Sequence, residues 1–350
     1  MNTTSKNLLL WYKKSNYSMP WRNQASPYQI WISEIMLQQT QVKTVVNYYN
    51  YWMKKFPTVK CIAESTIDDI LKLWEGLGYY KRAHNIFDAS KIIVNEYNGK
   101  IPNVYSDLIQ LPGIGDYTAS AILSIAFNKP YSAIDGNLKR VISRLNILDN
   151  KPKNIDIMKK FVIKLMKNNN PGDINQAFMD LGREVCVPRI PKCEICPLDV
   201  FCLAYTRNEV SLYPIKQIRK KIPSFDVVVG MIYKKNKFLI SKRKKNGLLG
   251  GLWELPGGKK MINESDQNCL KREIKEELNI TIEVINKIGY IKHQYSHFKI
   301  NLIGYICQHS TGNPQPLAAD DLQWISKKNI KNFAFPKSTI KLFALTEGIR

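Results

Sequence analysis

Apolar residues recur at helical spacing from the amino terminus to about residue 216, whereas beyond it they fall into short β-branched runs. In the first stretch Ser26-Pro27 supplies an N-cap and first-turn pair ahead of a helix over 28–40. Thr66 with Asp69 opens another over 67–74. A short helix over 106–110 and a longer apolar one over 116–127 flank the turn Leu111-Pro112-Gly113-Ile114-Gly115. The later runs, 225–233, 238–241, 281–290 and 299–307, are separated by Gly and Asn turns and read as strands. The change of texture coincides with a basic, Pro-containing segment. The pattern predicts an all-α domain over 1–216, a linker over 217–224 and an α+β domain over 225–350, without internal repeat or low-complexity tract.

Length agrees with two domains, since 350 residues with 44% hydrophobic content give each half its own core. The longest apolar stretches, 8–12 and 227–233, fall far short of the roughly 20 residues of a membrane span. The expectation is a cytosolic, reduced protein without a membrane partner. Lys plus Arg number 52 against 29 acids, a net charge of +23 that favours a polyanion such as DNA or RNA. Solvated lysine faces are the plainer explanation, because the lysines are spread along the chain rather than blocked.

Chemistry is concentrated in a few places. Cys186, Cys193, Cys196 and Cys202 form a Cys-x6-Cys-x2-Cys-x5-Cys run, whose soft thiolates suit zinc or an iron–sulfur centre. Two disulfides would use the same four residues, but Cys61, Cys269 and Cys307 show no spacing pattern and no signal peptide precedes them. The Pro-Gly-x-Gly turn reads as a helix–hairpin–helix. There Gly113 and Gly115 are expected to adopt positive φ, and the following helix N-terminus to face a phosphate. A plain connection between two helices explains the same turn. Asp135 follows about twenty residues later in Ile134-Asp135-Gly136-Asn137, where turn or cap is the alternative role. Glu34 lies among Ile32, Ile35, Met36 and Leu37, an apolar setting that would raise its pKa.

Hairpin, downstream Asp and four-cysteine loop together resemble the endonuclease III superfamily of DNA glycosylases. The resemblance implies a 4Fe-4S cluster on the loop 186–202, iron rather than zinc. Within that superfamily Met19-Pro20-Trp21-Arg22, the run Trp31 to Thr40, and Gly76-Leu77-Gly78-Tyr79-Tyr80 resemble the MutY-type adenine DNA glycosylases. With the segment 175–182 the likeness covers residues 8–215. It implies base-excision repair in which adenine is cut from deoxyribose opposite 8-oxoguanine or guanine in double-stranded DNA, by a monomer. Glu34 then corresponds to the general acid that later activates water, and Asp135 to the electrostatic stabiliser of the oxocarbenium-like sugar or the nucleophile that traps it, supported by Tyr117 and Asn137. Trp21, Arg22, Leu37 and Gln176 would line the adenine pocket. Gln39, Thr40, Leu77 and Tyr79 would touch the opened duplex, the last two from an exposed turn. Gly113, Gly115, Arg189 and Lys192 would contact phosphates. Relatives that also cut the strand carry lysine where this chain has Tyr117, so a monofunctional enzyme is expected.

The carboxy-terminal half resembles the Nudix-like domain by which MutY-type enzymes recognise 8-oxoguanine. Gln294-Tyr295-Ser296-His297-Phe298 resembles their recognition loop, making Tyr295, Ser296 and His297 the candidates. Gly258, Glu264 and Arg272 to Ile280 also fit a MutT-like Nudix box, with Asn279 in the glycine slot. Gly258, Glu273, Glu276 and Glu277 are thereby candidates for Mg2+. A salt-bridged surface helix is the alternative. The resulting expectation is an all-α helix-hairpin-helix glycosylase domain followed by an α+β Nudix-like domain. Two rivals remain: a bifunctional enzyme that also hydrolyses 8-oxo-dGTP, and a non-catalytic lesion-binding protein.

Overall fold

The computed structural model describes residues 3–15, 17–22, 25–149, 151–215 and 222–346. Its helices are α1 (Thr3–Ser15), α2 (Pro27–Leu37), α3 (Val42–Lys55), α4 (Val59–Ala63), α5 (Ile67–Leu73), α6 (Lys81–Glu96), α7 (Tyr105–Leu108), α8 (Asp116–Phe127), α9 (Gly136–Asn146), α10 (Pro152–Met166), α11 (Pro171–Glu184), α12 (Leu203–Thr206), α13 (Asp266–Leu278) and α14 (Lys337–Ala344). The strands are β1 (Ser224–Lys234), β2 (Lys237–Arg243), β3 (Trp253–Glu254), β4 (Gly257–Lys259), β5 (Thr281–Gln294), β6 (Lys299–Thr311) and β7 (Ala319–Ile325). Two compact units result, Met1–Glu64 with Asn85–Ile218, and Ser65–His84 with Arg219–Arg350. The expected division differs in one respect, since it assigned 65–84 to the first domain. Of the expected linker, residues 217–221 lie outside the described residues, and Ser224 already begins β1.

In the first unit α2 opens with the anticipated signal. The Ser26 hydroxyl accepts from Gln29 N, the Gln29 side chain accepts from Ser26 N, and Pro27 occupies the first turn. Almost every side chain from Tyr28 to Met36 is buried, because an apolar helix without a polar face is stable only inside a core. Leu138, Val141, Ile142 and Leu145 make one face of α9, at i, i+3, i+4 and i+7. They pack with Leu8, Met158, Val162, Phe178 and Leu181. That packing fixes the N-terminus of α9, and with it Asp135.

The second unit is built on a mixed sheet in the order β3-β2-β1-β6-β5, with β4 added to β1 and β7 to β2. β1 runs parallel to β6 and antiparallel to β2 and β4. Alternate residues of β1 serve opposite faces. Val228 and Ile232 pack with Leu270, Ile274 and Leu278 of α13, and Val229 and Met231 share a cluster with Leu342 and Phe343 of α14. A Cβ on Gly304 would meet the Leu342 side chain at 2.6 Å, so the bare backbone of β6 is what admits α14. Helices α13 and α14 pack on opposite faces of this mixed sheet with its one parallel pair, in keeping with the α+β Nudix-like domain expected.

Candidate active site

A cleft of about 1420 Å3 opens in the first unit. Trp21, Arg22, Glu34, Leu37, Gln39, Thr40, Gly115, Tyr117, Asp135, Asn137 and Gln176 all line it, although they come from four helices and four loops. Glu34 projects from α2 and is 5% exposed. Burial pushes its carboxyl up to about 7, and the negative charge of Asp135 adds to the shift. The Tyr117 hydroxyl, donating to Glu34 Oε2 at 2.8 Å, and Arg22 both oppose it.

Asp135 caps α9. Its Oδ1 accepts from Leu138 N at 2.7 Å, and its Oδ2 from Asn137 Nδ2 at 3.1 Å. Burial raises its pKa, whereas these hydrogen bonds and nearby Arg140 lower it. Asn137 is held in turn by Arg140, whose Nη2 donates to Asn137 Oδ1 at 2.9 Å and to Gly182 O at 2.6 Å. A Cβ on Gly182 would stand 2.7 Å from that of Asn137, so glycine lets α11 close on the cap. Two charged residues escaped the sequence reading. Arg140 is one, and Asp180, which receives a two-pronged contact from Arg22 at 2.6 and 2.9 Å, is the other. Asp180 shares α11 with Gln176, but its partner lies 158 residues away, so no local spacing marked it.

Backbone strain marks one rim of the cleft. Gln39 has φ +55°, a left-handed conformation rare for a residue with a side chain. In the hairpin Gly113 has φ +79°, and an added Cβ would strike Asn85 at 2.7 Å. Gly115 departs from expectation. It is extended, φ −97° and ψ −177°, because it serves as the N-cap of α8.

No disulfide joins the four cysteines of the loop 186–202. Burial raises Cys193 and Cys202 and pushes Cys196 up to about 12, and the thiolate charge of Cys186 acts on all three. Arg144, 2% exposed, donates to Cys186 Sγ at 3.2 Å and to the carbonyls of Val187 and Pro188. Among the described residues no three His, Cys, Asp or Glu side chains are gathered as tightly as a single ion demands. An iron–sulfur cube, whose thiolates sit on separate irons, makes no such demand, and the soft donor set fits one. Arg189 and Lys192 are exposed on the same loop.

In the second unit, Leu77 and Tyr79 occupy a turn with φ +89° at Gly76, +81° at Gly78 and +50° at Tyr79. Leu77 is 6% exposed, a correction to the exposed turn expected, whereas Tyr79 is 38% exposed. The hydroxyls of Tyr79 and Ser296 are hydrogen-bonded. Ser296 and His297 are exposed on a tight turn closed by Tyr295 N donating to Phe298 O at 2.9 Å. Tyr295 stacks on Phe298 and bonds Ser338, so it anchors the turn rather than lying open on it.

The Nudix residues do not form the expected open trio. Arg272 holds Glu273 at 2.8 Å and Glu276 at 3.2 Å, besides Glu264 at 2.8 Å. Glu277 turns inward to Gly257 N, and burial with the charge of Glu254 pushes its carboxyl up to about 7. Glu273 lies so close to Gly258 that an added Cβ would meet its carboxylate at 2.1 Å. As arranged, these side chains do not fit a shared Mg2+, since a guanidinium already neutralises two of them. Asn279 ends α13 at φ +55°, as the glycine slot requires.

Residues 32–165 match the HhH-GPD superfamily of base excision DNA repair proteins, and residues 227–345 match the NUDIX domain. An adenine DNA glycosylase of Buchnera aphidicola subsp. Acyrthosiphon pisum (strain APS) is 34% identical over 348 residues, covering 97% of this chain and 96% of the relative. A thermostable thymine-DNA glycosylase superposes with TM-score 0.54 at 28% identity, over 58% of this chain and 95% of its own. Endonuclease III trapped on DNA shares the fold, with TM-score 0.51 at 21% identity, over 59% of this chain and 99% of its own. With two carboxyls facing one cleft, a helical hairpin beside it and a relative alike from end to end, the chain belongs to the adenine DNA glycosylase family.

Proposed function

We propose that this enzyme hydrolyses the N-glycosidic bond of adenine placed opposite 8-oxoguanine or guanine in duplex DNA, without cutting the strand. One observation carries the reading: Glu34, buried and pushed up to about 7, shares a cleft with Asp135. An adenine turned out of the duplex enters between Trp21, Arg22, Leu37 and Gln176, where the Arg22–Asp180 pair fixes one wall. Glu34 delivers its proton to the departing base as the C1′–N bond breaks and the bonding electrons leave with adenine. The sugar becomes cationic, and the Asp135 carboxylate stabilises that charge. Water then adds to C1′ and returns a proton to Glu34. Asn137 and Arg140 hold Asp135 in place, and Tyr117 orients Glu34.

Tyr117 supports the monofunctional outcome, because burial and neighbouring carboxylates hold its phenol well above its ordinary pKa and it offers no amine for a Schiff base. The thiolates of Cys186, Cys193, Cys196 and Cys202 would hold a 4Fe-4S cluster, which folds the loop and sets Arg189 and Lys192 toward phosphates. Gly113, Gly115, Gln39, Thr40, Leu77 and Tyr79 would hold the opened duplex, and the turn bearing Ser296 and His297 would read the partner base. A single-turnover assay on duplexes differing only in the base opposite adenine tests this reading. Release opposite 8-oxoguanine and guanine, little opposite thymine, and no nicking before alkali are expected. Equal release from all three duplexes would remove the mispair specificity.

A further inference from the structure

The turn bearing Leu77 and Tyr79 is left-handed at three of its five positions, and a non-glycine residue such as Tyr79 holds that conformation only when its surroundings enforce it. The enforcing groups are identifiable. Gly76 N donates to the Tyr80 hydroxyl at 3.0 Å, and Trp74 Nε1 donates to Gly78 O at 3.0 Å. Arg82, in the first turn of α6 and 7% exposed, makes four contacts at once. Its Nη2 donates to Gly78 O at 3.0 Å and reaches Leu77 O at 3.5 Å. Its guanidinium carbon lies 5.2 Å from the centre of the Trp74 ring and 5.5 Å from that of Tyr79. A planar fork lying over two rings and reaching two consecutive carbonyls is a task lysine cannot perform.

We infer that Arg82 is a positioning residue for mispair binding, setting the Gly76–Tyr80 turn and the Tyr79 ring in their DNA-binding arrangement before the duplex arrives. This rests on the proposed contact of Tyr79 with the opened duplex. Ordering the turn in advance removes a cost from specific binding. The chemistry of a bound adenine and affinity for intact duplex depend on other residues.

The test uses the full chain and a duplex with non-hydrolysable 2′-fluoro-adenosine opposite 8-oxoguanine, beside a fully paired duplex. Arg82→Lys is expected to weaken mispair binding by about tenfold, the effect of releasing one strained residue. Paired-duplex affinity and the single-turnover rate at saturating protein should not change. Tyr79→Leu should show a comparable loss, and the double variant no further loss, since Arg82 acts through Tyr79. Wild-type mispair affinity in Arg82→Lys beside a loss in Tyr79→Leu would overturn the role of Arg82 and leave the parent reading standing. Unchanged affinity in Tyr79→Leu would instead defeat the parent reading, and this inference with it. Additive losses, equal weakening on the paired duplex, or loss of cooperative melting in Arg82→Lys would assign Arg82 elsewhere and also overturn it.

Discussion

Glu34→Gln is expected to slow single-turnover release of adenine by about 10²- to 10⁴-fold, the range for losing a positioned general acid. Duplex binding should survive, because the amide is isosteric and Tyr117 can still donate to its oxygen. The same substitution should stabilise the protein above neutrality. Glu34 is pushed up from its ordinary 4.5 to about 7, so below the lower value both folded and unfolded chains carry its proton. As pH rises from there to about 7 the unfolded chain ionises first, and stability falls. Above that the full cost of a buried carboxylate is present. Gln carries no such cost, so the variant should melt higher than wild type at pH 8 and alike at pH 4. An inactive variant that melts identically at both pH values would contradict the burial argument, whereas an active one would remove Glu34 from the chemistry.

Asp135→Asn is expected to reduce release by about 10²- to 10³-fold, the loss typical of one electrostatic group facing developing charge. The fold should persist, because Asn caps helices about as well as Asp and its side-chain oxygen can still accept from Leu138 N. Removing this negative charge also removes one cause of the raised Glu34 pKa, so residual activity should lose its protonated acid at lower pH than in wild type. Single-turnover rates across pH check both effects. A residual limb at unchanged pH would show that the two carboxyls do not sense each other.

The helical half of the fold was legible because its signals are local. Ser26-Pro27 and Thr66 mark helix starts, and α8 occupies 116–127 as its apolar run predicted. The helix expected over 28–40 ends at Leu37, since Gln39 takes positive φ where neither Gly nor Pro announces a stop. The long strands were found with short ends, but β3 and β4 are too brief to show alternation, and β7 carries Asp320 and Asp321. At the site, Glu34 was readable from its apolar neighbours. The Arg22–Asp180 pair spans 158 residues and has no local signature. Grouping of 65–84 with the carboxy-terminal unit was equally invisible, because it depends on tertiary contacts such as Phe335 N to Glu75 and His84 to Gly250 O. The Nudix box showed which carboxylates are present, but not that Arg272 would bind three of them.

The most direct test of Glu34 as a buried acid is the single-turnover rate of adenine release from an 8-oxoguanine mispair, measured from pH 5 to pH 9 at saturating protein. The rate should hold on the acid side and fall tenfold per unit above an inflection at about 7, where Glu34 gives up its proton. A flat profile through this range, or a rate that rises with pH, would contradict the assignment of Glu34 as the proton donor.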